Sequence, residues 1–191
     1  MIFDDTRITI QEVPVIVPCN LEVKWCIGRP KQGDIKIIIF GVFYYPPRSS
    51  RKGKMLDHLV STIHDLLNRF NDTKIILGGD RNDLDLAPVY NSVPGLKQIQ
   101  TEPTHKRKTI DIVATTMWRQ YKQAIVVDPV DVDKPGFGKP SDHKCILLYP
   151  INDQTQIRTA KYVLKRVQPM PESDLSQTIE ESLEIARWRN L

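Results

Sequence analysis

Two short motifs combine side chains that could hydrolyse a phosphate ester. The first, GGDRN at 78–82, places the carboxylate of Asp80 and the amide of Asn82 two residues apart, after an apolar segment. If strand geometry continues through them, side chains with this spacing point to one side, where they could hold a hydrated metal ion or a water nucleophile. The alternative is an ordinary turn in which both side chains bond to backbone amides.

The second motif, SDH at 141–143, follows a loop rich in proline and glycine and precedes an apolar segment. Asp142 could bind a metal ion, and His143 could face a phosphate if another group orients its ring. The alternative is a turn closed by Asp142, with His143 merely exposed.

Asp111 lies among β-branched residues in TIDIV at 109–113. A buried carboxylate needs a partner, and His143 is the natural candidate; the alternative places Asp111 on a solvated strand face.

Tyr44, in YYPP at 44–47, stands at the end of a predicted strand. Its hydroxyl could donate to a phosphate oxygen, or its ring could simply pack before the turn.

The remaining histidines and the basic residues carry weaker signals. His58 and His64 lie on or beside the polar face of a predicted helix, where we expect them to be solvated. The segment THKRK at 104–108 could meet a phosphate backbone. A solvated hairpin tip is the alternative.

Strands and helices must position these residues. Apolar residues at helical spacing predict one long helix at 55–70, and a last helix begins near Ser173. Runs of β-branched and aromatic residues predict seven strands, of which the second and third form a hairpin; they span 7–10, 22–27, 35–44, 74–77, 109–114, 123–127 and 144–149. This mixture predicts an α/β or α+β layered domain.

Composition narrows the class of protein. The 191 residues suffice for one domain with a core, and the net charge of +4 permits an anionic partner without demanding one. Neither a signal peptide nor an apolar run long enough to cross a membrane is evident. We therefore expect an intracellular protein, nuclear or cytoplasmic. The three cysteines form no CxxC pair, which predicts reduced thiols in the core.

Four motifs resemble, in their order along the chain, the signature of the endonuclease/exonuclease/phosphatase family. They are YYPP, GGDRN, PT with a strand aspartate, and SDH. The chain is most similar to the nuclease domain of a LINE-type (non-LTR) retrotransposon. The resemblance implies an α/β (α+β) fold, a four-layer sandwich of two β-sheets flanked by helices, in a domain at 1–150. The polar remainder, 151–191, with its C-terminal helix, is similar to the linker before the reverse transcriptase of such elements.

The resemblance also implies roles for individual residues around the water and the phosphate. Asp80 and Asn82 match the pair that positions and activates the attacking water. Tyr44 matches the tyrosine that contacts the scissile phosphate, and Thr104 matches a threonine on the phosphate side. Hydrolysis of a phosphodiester needs such an in-line water, a base, and stabilisation of the developing charge.

Further roles implied by the resemblance concern the metal and the histidine. Asp142 matches the acidic residue of a Mg²⁺ (or Mn²⁺) site, His143 the histidine that stabilises the phosphate, and Asp111 the carboxylate that orients it. Arg107 and Lys108 are the candidate contacts to the phosphate backbone of DNA, the expected partner.

The sequence departs from the family's pattern at two points. Arg81 stands where an aromatic residue is common, which is tolerable if residue 81 lies at the surface. The family also opens with a strand ending in Asn and another ending in a metal-ligating Glu; this sequence begins after both, and Glu12, Glu22 and Glu102 stand in other contexts. We therefore expect the 191-residue chain not to nick plasmid DNA with Mg²⁺, and a chain extended upstream to do so.

The resulting hypothesis is metal-dependent phosphodiester hydrolysis by a DNA endonuclease of retrotransposon type, impaired by the missing strands. One alternative is a catalytically inactive retroelement remnant that at most binds nucleic acid. Another is a phosphatase of the same family that acts on a phosphorylated lipid or sugar. Basic segments at 51–54 and 106–108 favour nucleic acid, and no membrane-binding segment supports a lipid.

Overall fold

The computed structural model describes residues 7–128 and 142–151. The chain divides into two units, Met1–Asp153 and Gln154–Leu191, and all described residues lie in the first. The predicted helix near Ser173 and nearly all of the predicted linker lie outside the described residues.

A mixed six-stranded sheet, in the order β1-β2-β3-β4-β6-β5, forms the centre of the fold. Its strands are β1 (Ile8–Glu12), β2 (Glu22–Pro30), β3 (Ile37–Tyr44), β4 (Thr73–Asp80), β5 (Lys97–Gln98) and β6 (Asp111–Thr115). Strands β3 and β4 are parallel, and the other neighbours are antiparallel. A separate antiparallel ladder joins β7 (Ile125–Val127) to β8 (Cys145–Leu147).

The helices within residues 7–128 and 142–151 are α1 (Lys52–Arg69), the short α2 (Ala87–Ser92), and one 3₁₀ turn at Trp118–Gln120. The α/β class is therefore confirmed, as are the long helix and the seven strands predicted from the sequence. Helix α2 and the two-residue β5 were not predicted, because each is too short to show a periodic pattern. None of the helices in the described part of the chain is both long and apolar enough to cross a membrane.

Helix α1 fixes the relation between β3 and β4. Its side chains at helical spacing, among them Leu59, Ile63 and Leu66, have no exposed surface and share one apolar cluster with Ile75 and Leu77 of β4. Parallel strands need such a crossover connection. Because β3 and β4 are parallel, their carboxyl ends lie side by side at one edge of the sheet. The functional motifs lie at this edge.

The prediction that His58 is solvated is wrong. The residue is 8% exposed, and its Nε2 accepts a hydrogen bond from the Trp25 indole at 3.3 Å. Thr62, one turn further along α1, is also buried, with its hydroxyl 3.5 Å from Nδ1 of His58. The buried face of α1 is therefore wider than its apolar residues alone indicate, because the bulky Trp25 of β2 reaches the helix.

The cysteines in the described residues are free, but their predicted position in the core is wrong for two of them. Cys19 lies in a turn before β2 and Cys145 at the start of β8, and both are exposed. Cys26 of β2 is half-buried.

The burial of His58 predicts a loss of stability in weak acid. Burial lowers the pKa of His58 below its ordinary value, so the unfolded chain takes up a proton before the folded chain does. The contribution of neutral His58 to the free energy of unfolding is complete above about pH 6.5. Below that pH it decreases, by at most about 1.4 kcal/mol per pH unit. We expect His58→Gln, which keeps an acceptor for Trp25, to weaken the dependence of the free energy of unfolding on pH between about pH 7.5 and pH 5.5.

Urea unfolding at several pH values measures this dependence. His64→Gln is the matched control, because His64 is exposed on the same helix. A pH dependence equal in His58→Gln and the unsubstituted chain would show that His58 is not buried in the neutral form.

Candidate active site

Three polar side chains form a row across β3, β4 and β6. The strand register pairs Tyr44 with Asp80 and Asp80 with Asp111. Because paired residues on neighbouring strands point to the same face of a sheet, all three side chains share one face. Tyr44 is 38% exposed, whereas Tyr45 is buried in the core on the other face. The register therefore places Tyr44, and not Tyr45, in the row with Asp80 and Asp111.

The histidine of the SDH motif completes this row. His143 Nδ1 lies 3.1 Å from Oδ1 and 3.0 Å from Oδ2 of Asp111, so the predicted contact is present. A ring nitrogen that faces a carboxylate in this way carries its proton, which fixes the tautomer and the orientation of the imidazole. Asp142 is exposed beside it, and Ser141 lies outside the described residues.

Two buried polar side chains hold the backbone of Asp111. The Thr104 hydroxyl accepts hydrogen bonds from the amides of Ile110 and Asp111, at 3.2 and 2.9 Å. The Gln100 amide donates to the Asp111 carbonyl at 2.6 Å. Neither side chain has exposed surface. Thr104 therefore holds the start of β6 in place, and its contact with a phosphate stays a prediction. Gln100 was not singled out from the sequence, because nothing local distinguishes it.

The structure shows the turn interpretation of GGDRN, and the functional interpretation stays a prediction. Strand β4 ends at Asp80, whose Oδ1 accepts the Asn82 amide at 2.9 Å, and Asn82 adopts a positive φ of 44°. The Asn82 side chain donates to the Tyr45 carbonyl at 2.9 Å. The turn therefore ties the end of β4 to the end of β3, while the Asp80 carboxylate remains in the row.

Arg81 is half-buried, so the surface position that would make the departure tolerable is only partly present. Its guanidinium donates to the carbonyls of Leu84 and Thr109, both at 3.0 Å, and its Nε is buried without a hydrogen-bond partner among the described residues. The link to Thr109 joins the turn after β4 to the segment that enters β6. Arg81 thus helps to hold the strands that carry Asp80 and Asp111.

Gly79 is required by close packing between β4 and β3. A Cβ atom at this position would lie 2.0 Å from the Phe43 carbonyl oxygen. No other residue fits without moving the backbone. This explains one of the two glycines before Asp80.

The row can hold a cation. Donor atoms of Asp80, Asp111 and His143 lie within 4.8 Å of one another. Burial raises the pKa of the Asp80 carboxyl, and the nearby Asp111 carboxylate raises it further, whereas the Asn82 amide and His143 oppose the rise. A bound cation would offset the repulsion between these two half-buried carboxylates.

A second group of donors lies next to the first. It consists of His105, Asp142 and His143, whose donor atoms also lie within 4.8 Å of one another. His105 was not among the predicted site residues, because its position depends on a turn at 105–108 that folds back on the segment carrying His143. Asp142, the predicted metal ligand, belongs to this group.

A cleft of about 510 Å³ opens beside the row. Its lining includes the site residues Asp80 and Asp111, the basic Lys144, and apolar side chains from the same sheet face such as Phe40, Ile76 and Val113. The volume is within the usual range for ligand sites, so a substrate can approach the carboxylates.

Two basic segments border this edge of the sheet. Helix α1 begins at Lys52 with no acidic residue in its first turn, and the preceding loop is tied to the site edge by the Arg48 amide, which donates to Asp83 at 3.3 Å. Arg107 and Lys108 are exposed on the turn that follows Thr104.

No model of a known protein family matches the sequence, and no curated protein matches it. Among solved structures, the chain is similar to the human nocturnin catalytic domain, with 16% identity and a TM-score of 0.48 over 77% of this chain and 62% of that domain. It is also similar to the endonuclease domain of TRAS1, a telomere-specific non-LTR retrotransposon, with 14% identity and a TM-score of 0.46 over 78% and 81% of the two chains.

A third similar structure is an endonuclease/exonuclease/phosphatase family protein from Bacteroides thetaiotaomicron, with 14% identity and a TM-score of 0.47 over 75% of this chain and 64% of that protein. With identities and TM-scores this low, the case for a function lies in the side chains of the site itself.

The contact between Asp111 and His143 predicts a selective loss of turnover. Asp111→Asn keeps the shape of the side chain but removes the charge that fixes the His143 tautomer. In the chain extended upstream, for which we expect activity, kcat for phosphodiester hydrolysis should fall by about 10–100-fold, as for other carboxylates that orient a functional histidine, with little change in KM. Steady-state nicking kinetics measure both. Asp57→Asn, on the exposed face of α1, is the control, and unchanged kcat in Asp111→Asn would exclude the orienting role.

Proposed function

We propose that this protein hydrolyses phosphodiester bonds of DNA with Mg²⁺ or Mn²⁺, as an endonuclease of retrotransposon type. The observation that carries the proposal is the row of Tyr44, Asp80 and Asp111 at one sheet edge, with His143 held against Asp111. These residues come from four separate segments of the chain. Polar residues that were merely solvated would not need to lie together.

The donors in the row fit a hard divalent cation. The Asp80 and Asp111 carboxylates supply the oxygen ligands that Mg²⁺ prefers, and Asp142, next to His143 in the chain, stays a predicted ligand. When bound, the ion supplies Lewis-acid stabilisation of the charge that develops on the phosphate.

The protein's own side chains account for the remaining roles. Asp80 accepts the proton of the attacking water, and the turn closed by Asn82 fixes the position of this carboxylate. His143, oriented by Asp111, donates its second ring N–H to a phosphate oxygen in the imidazolium form, in which both ring nitrogens are donors. The Tyr44 hydroxyl, exposed at the end of β3, donates to another.

DNA is the substrate best matched to the charges around the site. The basic segments at 51–54 and 106–108 each follow a residue that is anchored at the site edge, Arg48 before the first and Thr104 before the second. A backbone that carries one phosphate per nucleotide can contact both segments at once.

Removal of the Asp80 carboxylate tests the proposed activity. The assay follows nicking of supercoiled plasmid with Mg²⁺, in the 191-residue chain and in a version extended by the residues encoded upstream. In whichever length nicks, we expect Asp80→Ala to lower the rate by about 10²–10⁴-fold, the usual contribution of a positioned general base, and Asp57→Ala to leave it unchanged. If neither length nicks, or if both instead release phosphate from a phosphorylated sugar or lipid, the proposal is wrong.

The basic turn after Thr104 predicts a salt-dependent contribution to DNA binding. Arg107→Ala and Lys108→Ala should each weaken binding and reduce the slope of log K against log salt by about 1, the change expected for one lost phosphate contact. Fluorescence anisotropy with a duplex oligonucleotide measures the slope. Lys36→Ala is the matched control, since Lys36 is exposed just before β3 at the opposite edge. Equal slopes in all variants would place the DNA elsewhere.

A further inference from the structure

His105 occupies a position that the proposed hydrolysis does not use. The turn at 105–108 brings its backbone into a β-bridge with His143, and the two rings lie with centroids 4.9 Å apart. Its Nδ1 is buried and has no hydrogen-bond partner among the described residues. The nearest charged atom is Oδ2 of Asp142, at 3.5 Å.

This distance is longer than a good hydrogen bond but matches two ligands of one zinc ion. Ligands about 2.0–2.1 Å from a tetrahedral Zn²⁺ lie about 3.3 Å from each other. The third potential donor, His143, lies within 4.8 Å of both. Two imidazoles and one carboxylate form a donor set that suits zinc better than Mg²⁺, which prefers oxygen ligands throughout.

The surroundings of His143 support the same assignment. A histidine that ligates zinc usually donates its other ring nitrogen to a carboxylate, and Nδ1 of His143 faces Asp111 at 3.0 Å. The side chain of Asp142 is 66% exposed, so an ion can enter from solvent. Three protein ligands would leave the fourth tetrahedral position to water.

We propose that His105, Asp142 and His143 form a Zn²⁺ site, adjacent to the Asp80–Asp111 pair, and that zinc bound there inhibits hydrolysis. Inhibition follows because His143 cannot ligate zinc and also donate a hydrogen bond to a phosphate oxygen. The inhibitory part rests on the proposed function, whereas zinc binding does not.

Calorimetric titration of the full chain with Zn²⁺ tests the site without any activity measurement. We expect one equivalent to bind, and an excess of Mg²⁺ not to displace it. His105→Gln and Asp142→Asn should each lower the affinity more than about tenfold, and His64→Gln should not. Because the Asp142 side chain is largely exposed, Asp142→Asn should fold normally. A loss of zinc affinity in this variant would therefore not reflect misfolding. Co²⁺ in place of Zn²⁺ should give a tetrahedral absorption band that both site variants lose.

Equal zinc affinity in the two site variants and the unsubstituted chain would overturn the assignment. Loss of the zinc equivalent in Cys145→Ser, with its retention in His105→Gln, would do so too. In a chain length that nicks DNA, His105→Gln should retain Mg²⁺-dependent nicking and resist zinc. Zinc binding at this site without inhibition would refute only the inhibitory part, and a chain that binds zinc but never nicks would count against the proposed function alone.

Discussion

The pairing of Asp80 with Asp111 across β4 and β6 is the constraint on which the site depends. It places two carboxylates side by side on one face of a sheet, each half-buried. Such a pair is electrostatically unfavourable. The Asn82 amide and His143 contact the two carboxylates, and further hydrogen bonds hold the backbone around them. Thr104 and Gln100 hold the backbone of Asp111, and the turn after Asp80 is tied to β3. A register shift of one residue would turn one carboxylate to the other face of the sheet.

The remaining contacts follow from this pairing. Asp111 faces the row and can therefore meet His143 from a segment more than thirty residues away. Asp80 has the same neighbour through space, and Tyr44 completes the row because β3 runs parallel to β4. The stability of the core and the geometry of the site are thus linked through α1, which packs on the opposite face and fixes the relative position of β3 and β4.

Much of this arrangement could be predicted from the sequence, and the failures share a cause. The contact between Asp111 and His143 was predicted because a carboxylate among β-branched residues needs a partner. The strands were predicted because their patterns are local. The burial of His58 under Trp25, the anchoring of Arg81 and the position of His105 depend on segments distant in sequence, and no local pattern reports them. Thr104 was singled out by its residue type. In the structure it is buried, and its hydroxyl holds the backbone at the start of β6.

The most direct test of the site is the position of a bound ion. Crystals grown with Mn²⁺, in place of Mg²⁺, should show an anomalous peak about 2.1–2.2 Å from carboxylate oxygens of Asp80 and Asp111, close to the distances of a six-coordinate Mg²⁺. Asp80→Ala should remove the peak while the fold is retained. An ion bound only at other residues, or a peak that persists in Asp80→Ala, would contradict the account that this row is the catalytic centre.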